Sequence, residues 1–444
     1  MSSLDTDAVK PKRPRAAKAA AETGDAVVKK AKATRAAPVE KTEAEAEETE
    51  AVKAPKAKAA PKAKAAKAEA AAPEAALEAP EEKAVEAAPK AKAKAKAVPK
   101  PKAAPAAKAA ISRSPTPRAA PPAEGTLLKL LSINVAGLRS LLDKNNSHAK
   151  RAALLAIVEA EMPHVLCLNE HKLKQEDVPN AERDLLELLP EYTKAIWTCS
   201  GPPGRKGYSG VAMLIRADAP GGAFEAPAVF GMAGAGPEAE KCDIVSHEGR
   251  LITLELPALS LVATYVPNSG QDLKRLDYRT SSWDAWMAEY IKVLEAKRGK
   301  PVVVIGDLNV CHGARDVHNF YTRPDFAALC ADTAVADQYS GNSALRKQAG
   351  LTVEERESFG LLLSGAGLVD TFRHFHPNAT GVFSYFSQRV VANKPANKGL
   401  RLDYVLTSKS MVDDRGVSVH DAFVLDEAAP VADHAAVGAH ILLP

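Results

Sequence analysis

Five short apolar runs in this chain each contain or end in a carboxylate or an amide, and this repetition constrains the fold more than any other feature. They are LSINVAGLR (Leu131–Arg139), VLCLNE (Val165–Glu170), LVATYVPN (Leu261–Asn268), VVVIGDLN (Val302–Asn309) and RLDYVL (Arg401–Leu406). A sixth element, ADH at Ala432–His434, closes the series. Runs of this length read as buried strands, and the wholly apolar ones as strands covered on both faces. Polar groups carried at the ends of neighbouring strands converge on one cleft.

Helix-like stretches alternate with these runs. Ala149–Ala160 (AKRAALLAIVEA) has apolar residues at helical spacing and precedes Pro163, which opens the next strand-like run. The same spacing predicts a helix over Asp284–Ala296, ended by Arg298-Gly299-Lys300-Pro301 before VVVIGDLN. Such alternation argues for an α/β layered domain. Residues 217–246, rich in Ala, Gly and Pro, read as a long loop, as does much of Asn319–Ala349.

Composition places this domain within the chain. Residues 1–120 are nearly all Ala, Lys, Pro and Glu with no aromatic residue, so they bury too little apolar surface to offset the entropy of ordering. Residues 1–125 are therefore expected to form a disordered arm and 126–444 one large domain with a substantial core. Residues 1–120 hold 26 Lys and Arg against 16 Asp and Glu; the whole chain is +4, which leaves the remainder at −6. The basic character lies in the arm.

All five cysteines (Cys167, Cys199, Cys242, Cys311, Cys330) fall in the domain, with no CxxC spacing, so a disulfide framework or a zinc site is not expected. No apolar stretch approaches the roughly 18 residues of a membrane span, and the N-terminus lacks the apolar region of a secretory signal. A soluble intracellular protein is expected. The basic run Lys10–Arg15 reads as a nuclear import address, while the Ala and Lys richness of the arm also suits a mitochondrial pool.

The polar residues define a chemistry. Glu170 ends a buried strand, where a carboxylate needs a cation, a donor or solvent, and a lone Glu suffices to anchor Mg²⁺, which keeps most of its water. Asp307 and Asn309 are two apart and project to one side if the strand continues, Asp307 to orient or deprotonate a water and Asn309 to hydrogen-bond a phosphate oxygen or that water. Gly-Asp is also a common turn; the place of GDLN in the series is what raises it. Asp403 is expected to fix the tautomer of His434, leaving a protonated imidazole to stabilise charge on phosphate oxygens. No Ser lies in a nucleophile-elbow pattern, which argues against a nucleophilic triad. Tyr265 and Asn268 read either as core and turn residues or as a phenol and an amide facing the phosphate. Together these residues suit hydrolysis of a phosphodiester assisted by a hard metal ion.

In this order, with GYSGVAML at Gly207–Leu214, EGRLITLE at Glu248–Glu255, RLDYR at Arg275–Arg279, ERESFGLLL at Glu355–Leu363 and LVDTFRHFHPN at Leu368–Asn378, the motifs resemble the exonuclease III family of apurinic/apyrimidinic endonucleases, within the endonuclease/exonuclease/phosphatase superfamily. The resemblance spans about Lys129 to Pro444. It implies a four-layer α/β sandwich like that of deoxyribonuclease I, with two packed β-sheets flanked by helices. It also implies hydrolysis 5′ to an abasic site in double-stranded DNA, giving a 3′ hydroxyl and a 5′ deoxyribose phosphate, with 3′-phosphodiesterase or 3′–5′ exonuclease activity as further capacities. Mg²⁺ is the implied cofactor, with Mn²⁺ as a substitute.

Carried across, the resemblance places Asp307, His434, Asp403, Tyr265 and Asn309 in catalysis, and Asn134, Asn268, Phe386 and Leu400 at the substrate. Glu170, Asp433, Asp307 and Asn309 are placed at the metal. Ala136 stands where relatives carry Asp or Asn, Gln271 where they often carry Arg, Ser387 follows Phe386 in place of a second aromatic, and Leu400 replaces a Trp. The loop Asn319–Arg346 is longer than expected. A monomer is expected, with the arm as the docking site for base excision repair proteins. Two other readings remain: a related phosphoesterase that uses the same residues on another phosphate ester, and a chromatin-binding protein whose arm does the work and whose catalytic domain is vestigial, against which the intact Glu170, Asp307, Asp403 and His434 argue. The arm is also expected to add non-specific phosphate contacts, checked by a flatter salt dependence of duplex binding once residues 1–120 are deleted; an unchanged slope would sink that idea.

Overall fold

All five apolar runs are strands, and they lie at the centres of two six-stranded sheets. The computed structural model describes residues 110–220, 227–331, 344–413 and 416–444. The first sheet has the order β11 (Ser418–Val424), β12 (Val437–Leu443), β1 (Thr126–Asn134), β2 (Val165–Asn169), β4 (Val211–Arg216), β3 (Tyr192–Thr198). The second runs β5 (Val229–Phe230), β6 (Leu251–Glu255), β7 (Ser260–Tyr265), β8 (Val302–Asp307), β10 (Asp403–Ser408), β9 (Leu368–Asp370).

Alternation along each strand builds the layers. Leu128 and Leu130 of β1 and Val165 and Cys167 of β2 enter the core between the sheets, where they meet Val303 and Ile305 of β8 and Leu261 of β7. The opposite faces pack outwards. Leu131, Ile133, Leu166 and Leu168 meet the helices His148–Glu161 and Val178–Leu188, while Val302 and Val304 meet Asp284–Arg298 and Val353–Ala366. Both faces of the central strands are thus apolar, which is why the runs read as continuous. The result is the expected helix–sheet–sheet–helix sandwich.

Each sheet contains one parallel pair, and these pairs position the site. In the first sheet β1 and β2 run parallel with Asn134 beside Asn169. In the second, β7 and β8 run parallel with Tyr265 beside Asp307, and antiparallel β10 sets Asp403 on the other side of Asp307. The carboxyl ends of the parallel strands are where α/β sheets present ligand-binding groups.

The predicted helices are present, the second preceded by a π-type turn over Tyr278–Trp283. The loop expected over residues 217–246 carries the strand β5 and two short helices, Pro237–Lys241 and Asp243–His247. The stretch after Asn319 holds a short helix, Phe326–Ala331. Among the described residues no helix is long and apolar enough to cross a membrane.

The expected arm over residues 1–125 falls outside the described residues up to 109. Its last part, 110–125, lies along the domain: Ile111 donates its N–H to the carbonyl of Ala396 at 3.1 Å, and the Arg118 guanidinium lies 3.3 Å from the Phe423 ring centroid. The sequence hid this because the segment docks through arginines, a serine hydroxyl and backbone groups without an apolar period.

Candidate active site

The ends of β1 and β2 in one sheet and of β7, β8 and β10 in the other face the same cleft, and Asn134 joins them. Its amide nitrogen donates to Glu170 Oε2 at 3.0 Å and to Asp307 Oδ2 at 2.9 Å, one carboxylate from each sheet. Its amide oxygen accepts the backbone N–H of Ala136 at 2.9 Å, which fixes the orientation of the side chain. Asn169 acts one layer deeper, accepting from Ser132 Oγ at 2.7 Å and donating to the carbonyl of Thr264 across the sheets at 2.8 Å.

The catalytic constellation expected from sequence is assembled. His434 Nδ1 bonds Asp403 Oδ2 at 2.7 Å, so its Nε2 is the free edge of the ring, 3.9 Å from Asp307 Oδ2. Burial alone would push the imidazole towards neutrality, yet the charges of Asp403 and Asp307 and the Asp403 hydrogen bond overcome it and raise the pKa to about 10. Burial, followed by the charge of Asp403, raises Asp307 to about 7, against the opposing pull of His434 and of hydrogen bonds from Asn134 and Asn309. Asn309 donates its backbone N–H to Asp307 Oδ1 at 2.9 Å. Its side-chain oxygen accepts from Asn268 Nδ2 at 2.9 Å, so the two amides form one unit, and the second lone pair of that oxygen is what a metal role for Asn309 would use.

Tyr265 lies beside Asp307 in the sheet, with the Arg250 guanidinium 4.9 Å from its ring centroid. Burial, reinforced by the charge of Glu170, drives its phenol well above the usual range, so it is a proton carrier and a hydrogen-bond donor.

A metal ion has a place among these groups. Among the described residues, the cluster of ligand-type side chains within 4.8 Å of one another is Asp307, Asp403 and His434. His434 Nδ1 already bonds Asp403 and its Nε2 faces Asp307, so the three side chains also form one hydrogen-bonded and charge-paired unit. Glu170 is the anchor in better standing: it is a half-buried hard oxygen donor whose Oε1 already attracts a cation, Lys172 Nζ, at 2.7 Å. Asp433 Oδ1 is buried with no hydrogen-bond partner in the protein, an arrangement that costs about 1–3 kcal/mol unless a further group completes it. Carboxylate oxygens of this kind suit a hard divalent ion. Ala136 offers no ligand and adopts a left-handed φ of 47°, a conformation more natural to Asn or Asp.

Beside these residues opens a cleft of about 410 Å³. His318, Lys347, Arg389 and Lys398 contribute to its wall with Asn268 and Gln271, and none of the described residues lining it is acidic. The net −6 of residues 121–444 therefore conceals a local basic patch. Leu400 lines the cleft as expected. Phe386 lies next to it: it is 5% exposed, packs edge-on to Phe383, has Lys394 Nζ 4.1 Å from its ring centroid and lines an adjoining pocket with Asp433 and His434. Its neighbour Tyr385 lines the cleft itself, pairing with Leu400 and lying tilted with its ring 5.0 Å from that of His434.

Tyr385, Lys172 and Asn169 adjoin the site and were missed by sequence reasoning. Strand alternation was the available signal for the first. If Ser384 points inwards to cap Leu402 and Asp403, Tyr385 must face the other way.

This fold and site define the class: the chain belongs to the Endonuclease/Exonuclease/phosphatase family, whose model matches residues 131–434. Within it the relatives are exodeoxyribonucleases and abasic-site endonucleases. The chain is 35% identical to the DNA repair nuclease APEX1 of Danio rerio over 285 residues, covering 64% of this chain and 74% of the relative. It is 32% identical to an exodeoxyribonuclease of Streptococcus pneumoniae over 289 residues, covering 64% and 91%. The crystal structure of the AP endonuclease LMAP from Leishmania major superposes with a TM-score of 0.56 at 30% identity, covering 72% of this chain and 88% of the other.

Proposed function

We propose that this protein is a DNA-repair endonuclease that hydrolyses the phosphodiester 5′ to an abasic site, leaving a 3′ hydroxyl and a 5′ deoxyribose phosphate. The observation that carries the reading is the pairing of a protonated imidazole with a carboxylate of raised pKa, 3.9 Å apart, at the edge of a basic cleft. A group near 7 is matched to proton transfer at neutral pH. Asp307 accepts a proton from the attacking water while His434 Nε2–H donates to a non-bridging phosphate oxygen as charge builds there. The new bond joins the water oxygen to phosphorus, the bond from phosphorus to the 3′ oxygen breaks, and that oxygen leaves as the 3′ hydroxyl by taking a proton from solvent, to which Asp307 later returns its own.

Asn134 and Asn309 hold Asp307 in place, and Asn268 holds Asn309, so the amides serve the phosphate indirectly through the base. Mg²⁺, or Mn²⁺ in its place, would be held by Glu170 with Asp433 and would neutralise phosphate charge and polarise the scissile bond. Tyr385 and Leu400 form an apolar wall beside the reacting centre, suited to a sugar that has lost its base. At the rim Arg389 is followed by Val390 and Val391, 54% and 87% exposed. Apolar side chains presented beside a cation are the equipment of proteins that open a DNA groove.

The test is cleavage of a labelled duplex carrying one tetrahydrofuran abasic analogue, beside an undamaged duplex, with Mg²⁺ and with chelator. A single nick 5′ to the analogue that disappears with chelator is expected. Equal cutting of the undamaged duplex, or no cutting by folded protein, would overturn the reading.

A further inference from the structure

The segment ahead of the domain reaches one wall of the cleft. Residues 110–122 form no helix or strand, yet they are fixed at several points. Ile111 donates to Ala396 O, and its own carbonyl accepts from Asn397 Nδ2 at 3.2 Å. Ser114 exchanges hydrogen bonds with Thr380, its N–H to the Thr380 carbonyl at 2.8 Å and its Oγ to the Thr380 N–H at 3.0 Å. Gly381, at φ 70°, lets the strap pass so close that a Cβ there would overlap the Ser112 carbonyl. Arg113 donates from Nε to both oxygens of Asp426, at 2.9 and 3.1 Å, and Asp426 is only 5% exposed. The backbone carbonyl of Asp426 in turn accepts from Lys394 Nζ.

Every one of these partners bears on the stretch 380–398. Asn397 also donates to the Gly381 carbonyl at 2.7 Å, tying the two ends of that stretch together. Between them lie Tyr385, Ser387, Arg389 and Asn393, and just after them Lys398, all of which line the cleft. Residues 380–386 are anchored in the core, but none of residues 387–398 is buried, so contacts from outside are what can hold that part in place.

We propose that residues 110–118 are an intramolecular brace for the substrate cleft, with Arg113 as its positioning residue. The brace acts through Asp426 and Lys394 to hold Arg389 and Lys398 in the conformation that receives the polyanion. The DNA part of this inference rests on the function proposed above; the brace itself does not. Arg113 touches no reacting group and sets affinity through the loop.

Full-length protein with Arg113→Ala is compared with wild type and Arg113→Lys by amide hydrogen exchange over residues 380–398 without DNA, and by Kd for a short abasic duplex. The expected results are exchange faster by about tenfold in that stretch and a Kd raised about three- to tenfold, both recovered in part by Lys, because a half-buried ion pair and its buried partner are at stake. The Asp426→Asn variant, which keeps a neutral acceptor for Arg113, gives a smaller change of the same sign. Unchanged exchange in Arg113→Ala, or faster exchange with unchanged Kd, overturns the proposal. Failure of wild type to cut the abasic duplex, with both changes intact, faults the proposed reaction and leaves the brace standing.

Discussion

Replacing His434 by Ala is expected to lower kcat on an abasic duplex by about 10²–10³-fold with little effect on KM, the loss typical of one oriented donor at a developing oxyanion. Nε2 is the ring edge that faces Asp307 and the cleft, while Nδ1 is held by Asp403. The pH profile gives the sharper check. His434 is raised to about 10, so the wild-type rate should fall as pH rises through that value and the imidazolium is lost. Asp307 at about 7 must be ionised to accept a proton, so the rate should fall as pH drops below it.

Linkage gives the matching statement for stability. A histidine whose folded pKa is raised contributes stability that is fully present below its unfolded value, near 6.5, and is lost as pH climbs through about 10. The His434→Ala variant should lose the alkaline limb, and its acid limb should move to higher pH because the cation that lowers Asp307 has gone. An alkaline limb retained by the variant would show that another group carries it.

Gly306→Ala is expected to cost more than about 4 kcal/mol, in the range where single substitutions prevent folding, because the strand has no room to yield. Gly306 has φ 145°, and a Cβ there would overlap the Thr264 carbonyl oxygen on the neighbouring parallel strand. The same methyl would meet Asn169 Nδ2, which bonds that carbonyl from the opposite sheet. Denaturant unfolding of the variant measures the loss. A stability within about 1 kcal/mol of wild type would mean that the strands β7 and β8 can separate locally without harm.

The strand centres were legible because burial on both faces leaves uninterrupted apolar runs, as in VVVIGDLN and VLCLNE. The pairing of Asp403 with His434 followed from chemistry, since an imidazole needs a carboxylate to fix its tautomer whatever the distance along the chain. Proximity across the sandwich was not legible: nothing in the spacing of Ser132, Asn169 and Thr264 indicates that they form one line of hydrogen bonds between sheets. Tyr385 was not read from the sequence because its contact with the His434 ring depends on which way the chain turns after Ser384, while Phe386 lines the neighbouring pocket with His434 and Asp433. Residues 110–122 escaped because backbone hydrogen bonds and paired arginines leave no periodic signal. Arg401, the first residue of RLDYVL, has a role that its neighbourhood in sequence does not reveal. Arg401 is buried between Asp316 and Asp370, donating at 2.8 and 2.6 Å, and thereby fixes the start of the strand that bears Asp403.

The bridge formed by Asn134 has a mechanical meaning. Glu170 stands on one sheet and Asp307 on the other, so the spacing between the two carboxylates is set by how the sheets stack, roughly 10 Å apart, narrowed by side chains that reach inwards until one amide bonds both. The interior is therefore a gauge block for the site. Leu130, Cys167, Ile305 and Val303, which lie between the sheets, fix the gap across which two carboxylates share one amide, and a change in their volume is expected to alter that gap as directly as it alters folding.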